Sequence, residues 1–275
     1  MSIQLNNTDI VLRPSSIDNA QQCAYQWAKV FLEGIVTIPN SRAAIGTGIH
    51  AGVEHMWQEA IQIGHKAPNL TMMKDAAIES FEEETKLGEM RFDSGETTDS
   101  CHSEIIAGTE AFVDDLVPFL DIPEAVEQRY TIGLAHPIVK AISGTVDYIG
   151  GGYIDDVKTS KRKPTPTNYT TQQSIYKMLA EANGVTVNYN RIQGVVLTKK
   201  PYGLILDLEP NIEQAKYLVN NLLDKIEVFA KGIVPAETIF SCNTKYYLCS
   251  RKYCALHGSC PATKRTANND EKVKL

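Results

Sequence analysis

The sequence predicts an α/β protein in which a mixed central sheet is flanked by helices, with a helical first half and a C-terminal cysteine cluster region. Three observations predict it. Residues 15–119 are dominated by apolar positions at helical spacing. Past Pro123, β-branched residues alternate with polar ones in runs bounded by glycine and proline turns. From there the elements read β-β-β-α-β-β-α, the order of a mixed sheet with helices against it.

Ser15 and Ser16 offer an N-cap to a first helix in which Ile17, Ala20, Cys23, Ala24, Trp27 and Phe31 follow helical spacing, and Gly34 stops it. Cys23 is thereby expected on a helix. Gly46 to Gly48 precede a second amphipathic segment whose Ile49, Val53, Trp57, Ala60 and Ile61 share a face, with His50 at its opening. Residues 72–87 and 104–119 give two further helices, joined by a polar loop at 92–103. Residues 125–134 and 138–149 read as strands, and Gly150-Gly151-Gly152 turns the chain tightly into another at 153–158. A helix over about 168–182 follows, then strands at 191–198 and 204–208 around a Pro201-Tyr202-Gly203 turn, then a long helix over 212–230. The expected organisation is a helical part (1–121), a sheet core (122–232), a cysteine segment (233–262) and a polar, disordered tail (263–275), the ordered parts forming one compact unit.

At 275 residues and 43% hydrophobic composition, the chain can bury a full core without covalent staples. No run of about 18 apolar residues occurs, so no membrane span is expected, and the opening MSIQLNNTDI has neither the basic nor the apolar part of a secretory signal. A cytoplasmic location follows as the expectation. In that reducing setting six cysteines are metal ligands or inert thiols rather than disulfides. The net charge of −6 argues against indiscriminate nucleic-acid binding over the whole surface. Local basic runs remain, at Lys158, Lys161, Arg162 and Lys163, at Lys199-Lys200, and in the tail from Lys264.

The hairpin carries chemistry. Asp147 ends the run Gly144-Thr145-Val146-Asp147 on one strand, and Asp156-Val157-Lys158 places a carboxylate and an amine two apart, hence on one face, of the next. Two opposed acids make an oxygen site for a hard divalent cation, Mg2+ or Mn2+, and leave the ammonium for a phosphate or an attacking water. An exposed cross-strand salt bridge is the bland alternative. Gln172 and Tyr176, one helical turn apart on the following helix, can reach a phosphate or support Lys158.

Near the C-terminus, Cys249, Cys254 and Cys260 form a C-x4-C-x5-C run too tight and too polar for a buried core. Cys23 is a plausible companion, and four thiolates suit a cubane iron-sulfur cluster or a structural zinc. Cys242 is a rival fourth ligand, and Cys101 is left over.

Taken in order, these motifs resemble the RecB-like branch of the PD-(D/E)XK nuclease superfamily, particularly cluster-containing members such as the AddB nuclease domain and the CRISPR-associated adaptation nucleases. Gly46-Thr47-Gly48-Ile49-His50 resembles the family's G-x-x-x-H, Gly144 to Asp147 its G-x-x-D, Asp156 to Thr159 its D-x-K-T, and Gln172 to Tyr176 its Q-x-x-x-Y; Glu127, with Tyr130 after it, matches an E-x-x-Y position. The single early cysteine and the terminal trio match too, although some relatives use C-x2-C where this chain has C-x4-C.

The resemblance implies a restriction-endonuclease-like fold and metal ligation by His50, Asp147, Asp156 and the Val157 carbonyl. Glu127 becomes a further acidic group of the site, and Lys158 the residue that orients or deprotonates water. It implies that Cys23, Cys249, Cys254 and Cys260 hold a 4Fe-4S cluster, with zinc as the alternative. The activity implied is that of a metal-dependent DNA exonuclease or end-processing enzyme, in recombination, repair, phage replication or CRISPR spacer handling. A helicase or recombination protein would be its partner, since the sequence has no P-loop, and its oligomeric state stays open. The rival readings are a catalytically silent protein that grips DNA ends or a partner, and, with less support, an iron-sulfur redox protein.

Overall fold

The computed structural model describes residues 9–264, so the predicted disorder of the last residues falls almost wholly outside the described residues. The chain forms two compact units. One comprises the chain up to Thr37, Leu134–Ala141 and the chain from Tyr217; the other comprises Ile38–Gly133 and Ile142–Lys216.

In the second unit, three helices precede the sheet: α3 (Ser41–Ile63), α4 (Leu70–Lys86) and α5 (Thr98–Asp115). Each starts where a short polar side chain satisfies an otherwise orphaned amide. Asn40 accepts from Ala43 N–H, Asn69 from Met72 N–H and Thr97 from Ser100 N–H. Because Asn40 is the cap, the Gly46-x-Gly48 segment lies inside α3 rather than ahead of it, and His50 sits well within the helix instead of opening it.

The glycines serve close packing. A Cβ at Gly48 would stand 2.6 Å from the Ala77 carbonyl oxygen, one at Gly52 2.6 Å from that of Met73, and one at Gly46 2.8 Å from Thr159 Oγ1. The backbones of α3 and α4 therefore meet without an intervening side chain. Gly52→Ala is expected to destabilise by about 1–3 kcal/mol, an overpacking cost against backbone that cannot rotate away. Thermal unfolding would check it, and an unchanged midpoint would show that α4 can retreat. Around this contact Ile45, Ile49, Val53, Trp57, Phe81, Ile105, Phe112 and Tyr148 form the buried core of the unit.

The sheet has order β1-β3-β4-β5-β6, with β2 also paired to β3. Its strands are β1 (Ile10–Leu12), β2 (Ala125–Gly133), β3 (Val139–Gly150), β4 (Tyr153–Ser160), β5 (Tyr189–Val196) and β6 (Tyr202–Leu208). The β3–β4 hairpin closes on Gly151 and Gly152, with φ of 44° and 82°, while Gly150 pairs with Tyr153. Two consecutive positive φ values are what a tight two-residue hairpin demands, and glycine meets them without steric cost.

The chain then crosses through α6 (Thr170–Ala182), so β4 and β5 run parallel, whereas β5 and β6 are antiparallel. Tyr202 and Gly203 pair with Val196 and Val195, so they belong to β6, and the turn occupies the residues before them. After β6 comes α7 (Ile212–Ala230), as the spacing of Val219, Leu222, Ile226 and Phe229 predicts.

In the first unit, α1 (Pro14–Gln22) begins one residue before the expected cap. Arg13 is its N-cap, without a side-chain bond, and Pro14 contributes a helix-ready φ at the first position. Cys23 is extended (φ −155°, ψ 95°) and separates α1 from α2 (Ala24–Trp27), so it lies at a helix break rather than on a helix. The segment next to the break is held elsewhere, Tyr25 N–H donating to Ser241 O at 3.1 Å. Trp27 stacks on Phe31 at 5.2 Å and meets Phe240 at 5.9 Å. The strand β1 and the four-residue α8 (Ala236–Ile239) have no counterpart in the sequence reading, being too short for periodicity to register.

Candidate active site

Five elements of the second unit, α3, β2, β3, β4 and α6, carry most of the residues singled out by sequence. β4 carries Asp155 and Asp156 on opposite faces. Asp155 receives a bidentate pair from Arg191 (Nε and Nη2, each 2.7 Å) and a bond from Gln193 (2.7 Å), which satisfies it fully. Asp156 faces the other way and ion-pairs with Lys158 two residues on, as strand alternation requires. In the hairpin register Tyr148 stands opposite Asp155, and the next residue on each strand is Asp147 and Asp156.

Asp147 is tied to its surroundings on two sides. Its Oδ2 accepts from Val157 N–H at 2.8 Å and lies 3.0 Å from His50 Nε2. His50 Nε2 in turn lies 3.4 Å from Glu127 Oε1 on β2, and its ring stacks over Tyr148 at 6.3 Å. The Val157 N–H is thus engaged with Asp147, which leaves its carbonyl as the group the resemblance assigns to a metal. Gln172 donates to the Tyr176 hydroxyl at 3.3 Å, and both are buried on α6, so neither is a solvent-facing residue.

The electrostatics follow from crowding acids in a partly desolvated space. Burial raises Asp156 to about 6, helped by the Asp147 charge and opposed by Lys158. Burial also opposes ionisation of Asp147, yet the hydrogen bond from His50, its charge, Lys158 and the Val157 amide together hold that carboxyl below its ordinary value. For His50, burial works against the cation, but the bond to Asp147 and the charges of Asp147, Glu127 and Asp156 prevail and raise it to about 9. Lys158 goes upward for the same reason, burial being outweighed by Asp156 and Asp147. Glu127 is pushed up to about 7 by burial and by Asp147, Glu54 and Asp156, with His50 pulling the other way.

This arrangement fits a divalent cation. Asp156 Oδ2 is taken up by Lys158, but the buried Oδ1 has no hydrogen-bond partner among the described residues, so its lone pairs are available. Donor atoms of His50, Glu54 and Glu127 also lie within 4.8 Å of one another. One imidazole and several carboxylates suit a hard cation better than a soft one. Glu54 escaped the sequence reading. The signal was its position four residues after His50, on the same face of α3.

Two outcomes follow. A cation needs His50 neutral and Glu127 ionised, so binding releases protons, and affinity rises as pH passes about 7 and then about 9. Calorimetric Mn2+ titrations in two buffers of different ionisation heat measure that release; heats independent of the buffer would contradict it.

The second outcome concerns Glu127, whose φ of 50° makes it the only non-glycine residue with positive φ among the described residues. Its raised pKa means that the folded state holds the proton more tightly than the unfolded chain, so stability from this group is present at pH below 4.5 and lost by about 7. Asn tolerates the left-handed region and carries no charge. Glu127→Asn is expected to stabilise the cation-free protein by about 1 kcal/mol, more at pH 8 than at pH 5, after allowance for a side chain that is 36% exposed. Thermal melts at both pH values decide it.

The first unit holds a second cluster. Cys23, Cys242, Cys249, Cys254 and Cys260 line one cavity, and none of the six cysteines is in a disulfide. Successive turns present the later ones, with Cys254 N–H donating to Ser250 O at 2.9 Å and Cys260 N–H to Leu256 O at 2.7 Å. Burial together with neighbouring thiols pushes Cys242 up to about 11 and raises Cys249 and Cys254. Cys242 Sγ and Cys260 Sγ approach to 3.5 Å, and two thiolates at that distance repel unless a cation sits between them. Cys101 stays apart, buried in the helical core of the other unit.

No curated protein matches the sequence significantly. Among solved structures, a Eubacterium rectale protein named "Putative exonuclease" aligns with TM-score 0.59 and 11% identity, over 96% of this chain and 91% of its own, a likeness of fold. A second, SSO0001, aligns over 91% of this chain and 97% of its own at 12% identity, with a TM-score of 0.34 that supports no argument. Among the described residues, no helix is long and apolar enough to cross a membrane. Residues 12–261 match the family profile described as PD-(D/E)XK nuclease superfamily, which spans both clusters, and the chain belongs to that superfamily.

Proposed function

We infer that this nuclease hydrolyses DNA phosphodiester bonds with Mg2+ or Mn2+ and works at DNA ends as an exonuclease. The observation that carries the reading is the buried Asp156, its Oδ2 ion-paired with Lys158 and its Oδ1 without a hydrogen-bond partner among the described residues, on the strand next to the Asp147 that His50 contacts. A divalent cation, when bound there, polarises the phosphoryl oxygen and makes a water acidic enough to supply the nucleophile. His50, Asp147, Asp156 and the Val157 carbonyl would hold it, and Glu54 and Glu127 extend the donor set toward α3 and β2.

The remaining work belongs to the chain. Asp147 is fixed by Val157 N–H and His50, so it offers its second oxygen in one orientation. The upward shift of Lys158 keeps it an ammonium at neutral pH, which favours its orienting water and offsetting charge on the transferred phosphoryl group over its acting as a base. Tyr176, raised by burial and by Asp156 and Asp147, stays a neutral donor beside that lysine. Action at ends is supported by the name of the structural neighbour and by the family resemblance.

We assign an iron-sulfur cluster to the cysteine cavity, held by Cys23, Cys249, Cys254 and Cys260, as a structural group. The test uses single- and double-stranded DNA labelled at either terminus, with Mg2+ or Mn2+, resolved by length over time. A ladder receding from one end is expected; internal fragments alone would exclude end-dependent action, and no cleavage of any substrate would exclude the nuclease assignment.

A further inference from the structure

Residues 157–206 contain eight lysine and arginine side chains and a single acid, Glu181, a net +7 in a chain whose total is −6. Everything outside that stretch therefore carries −13. The fold gathers part of this charge at one place. β4 and β5 are parallel and end together, Ser160 opposite Val196, with Leu197 N–H donating to Ser160 O at 2.7 Å. The two loops that leave this edge carry Lys161, Arg162 and Lys163 on one and Lys199 and Lys200 on the other, all exposed.

Both loops are braced alike. Ser160 Oγ donates to Arg162 O and Thr198 Oγ1 to Lys200 O, each at 2.6 Å, so each backbone is fixed two residues past the hydroxyl. Lys161 lies 3.9 Å from Glu96, but Arg162, Lys163, Lys199 and Lys200 form no ion pair among the described residues. Lys158 lies two residues before the end of β4, so the cationic loops continue directly from the candidate active site.

We propose that these paired loops are a sequence-independent phosphate rim that grips the nucleic-acid strand next to the site. The lysines and arginine neutralise backbone phosphates, and the braces hold them in place before the strand arrives. Ammonium and guanidinium groups on exposed loops meet the phosphate backbone rather than base edges, so affinity depends on salt and length rather than sequence. The proposal rests on the nuclease reading only in placing the strand beside Lys158.

The test measures binding of a labelled single-stranded oligodeoxynucleotide in EDTA over a range of KCl concentrations, for wild type and R162A/K163A/K199A/K200A. Each phosphate that is no longer neutralised lowers the slope of log affinity against log salt by about 0.7, so a fall of about 2–3 is expected, with affinity down about tenfold or more at physiological salt. An unchanged melting temperature shows that the variant folds, and K199Q/K200Q alone should give roughly half the change in slope. A variant slope equal to wild type overturns the rim, as does equal displacement of the oligonucleotide by polyglutamate. Cleavage with an unaltered slope would sink the rim and keep the nuclease reading; variant-sensitive binding without any cleavage would keep the rim and sink that reading.

Discussion

Lys158→Met is expected to lower cleavage by at least a hundredfold to a thousandfold and to destabilise the fold, whereas Asp156→Asn/Lys158→Met is equally inactive yet recovers stability. Removing the amine alone leaves Asp156, 1% exposed, and Asp147 as adjacent acids with only His50 to offset them. Breaking a fully buried pair from one side costs about 3–5 kcal/mol; because the Lys158 side chain is 28% exposed, about 2–3 kcal/mol is the better figure. Neutralising Asp156 at the same time removes the charge that lost its partner.

The sign of the pH effect separates the variants further. Asp156 already stands near 6, and without Lys158 it rises more, so the destabilisation of Lys158→Met is small in acid and grows as pH climbs through that range. Initial rates with Mn2+ and chemical unfolding at two pH values suffice as readouts. Cleavage by Lys158→Met within tenfold of wild type would remove the lysine from the mechanism, and a double variant no more stable than the single one would show that the pair is not coupled.

How far the sequence disclosed this site depends on how local each contact is. Asp156 and Lys158 were legible because a strand fixes i and i+2 on one face, and Asp147 because the glycine turn sets the hairpin register. Gln172 and Tyr176 were legible as a helical pair but not as a buried one. His50 was found through a motif, yet its helix start was misplaced because Gly46 and Gly48 look like a break, and only the nearness of Ala77 and Thr159 explains them as packing positions.

Glu54 was missed since a lone carboxylate on an amphipathic helix resembles surface solvation until β2 brings Glu127 to it. The left-handed Glu127 has no signal in a single sequence at all. Of the fold, the five later strands and α4, α6 and α7 were legible within a few residues, whereas α3 begins at Ser41 and α5 at Thr98, well ahead of the expected starts, because Asn40 and Thr97 cap them there. The three- and four-residue elements β1 and α8, like the helix break at Cys23, depend on pairings distant in sequence, such as Ile10 N–H with Ile138 O and Tyr25 N–H with Ser241 O.

Loss of the centre proposed for the cysteine cavity is expected to unfold the first unit cooperatively, and two single substitutions test its ligands. Cys23→Ala should abolish it, while Cys242→Ala should keep full iron content and thiolate-to-iron absorbance. Cys23 stands on the other side of the long chain excursion from the remaining thiols, so a metal bond there closes a loop of more than two hundred residues, and its release frees the largest share of chain entropy. The thermal midpoint of Cys23→Ala should therefore fall well below that of Cys242→Ala.

The distance between Cys242 Sγ and Cys260 Sγ, 3.5 Å, sharpens the choice. Two thiolates on one tetrahedral zinc, with bonds of about 2.3 Å, stand about 3.8 Å apart, whereas thiolates on separate irons of a cubane stand farther apart than that. Cys242 and Cys260 in this proximity suit a shared zinc, or a cubane that leaves Cys242 free. Iron in the anaerobically purified protein with an intact centre in Cys242→Ala would establish the second arrangement; zinc, with loss of metal in Cys242→Ala, would establish the first and replace Cys23 or one of the terminal trio in the ligand set.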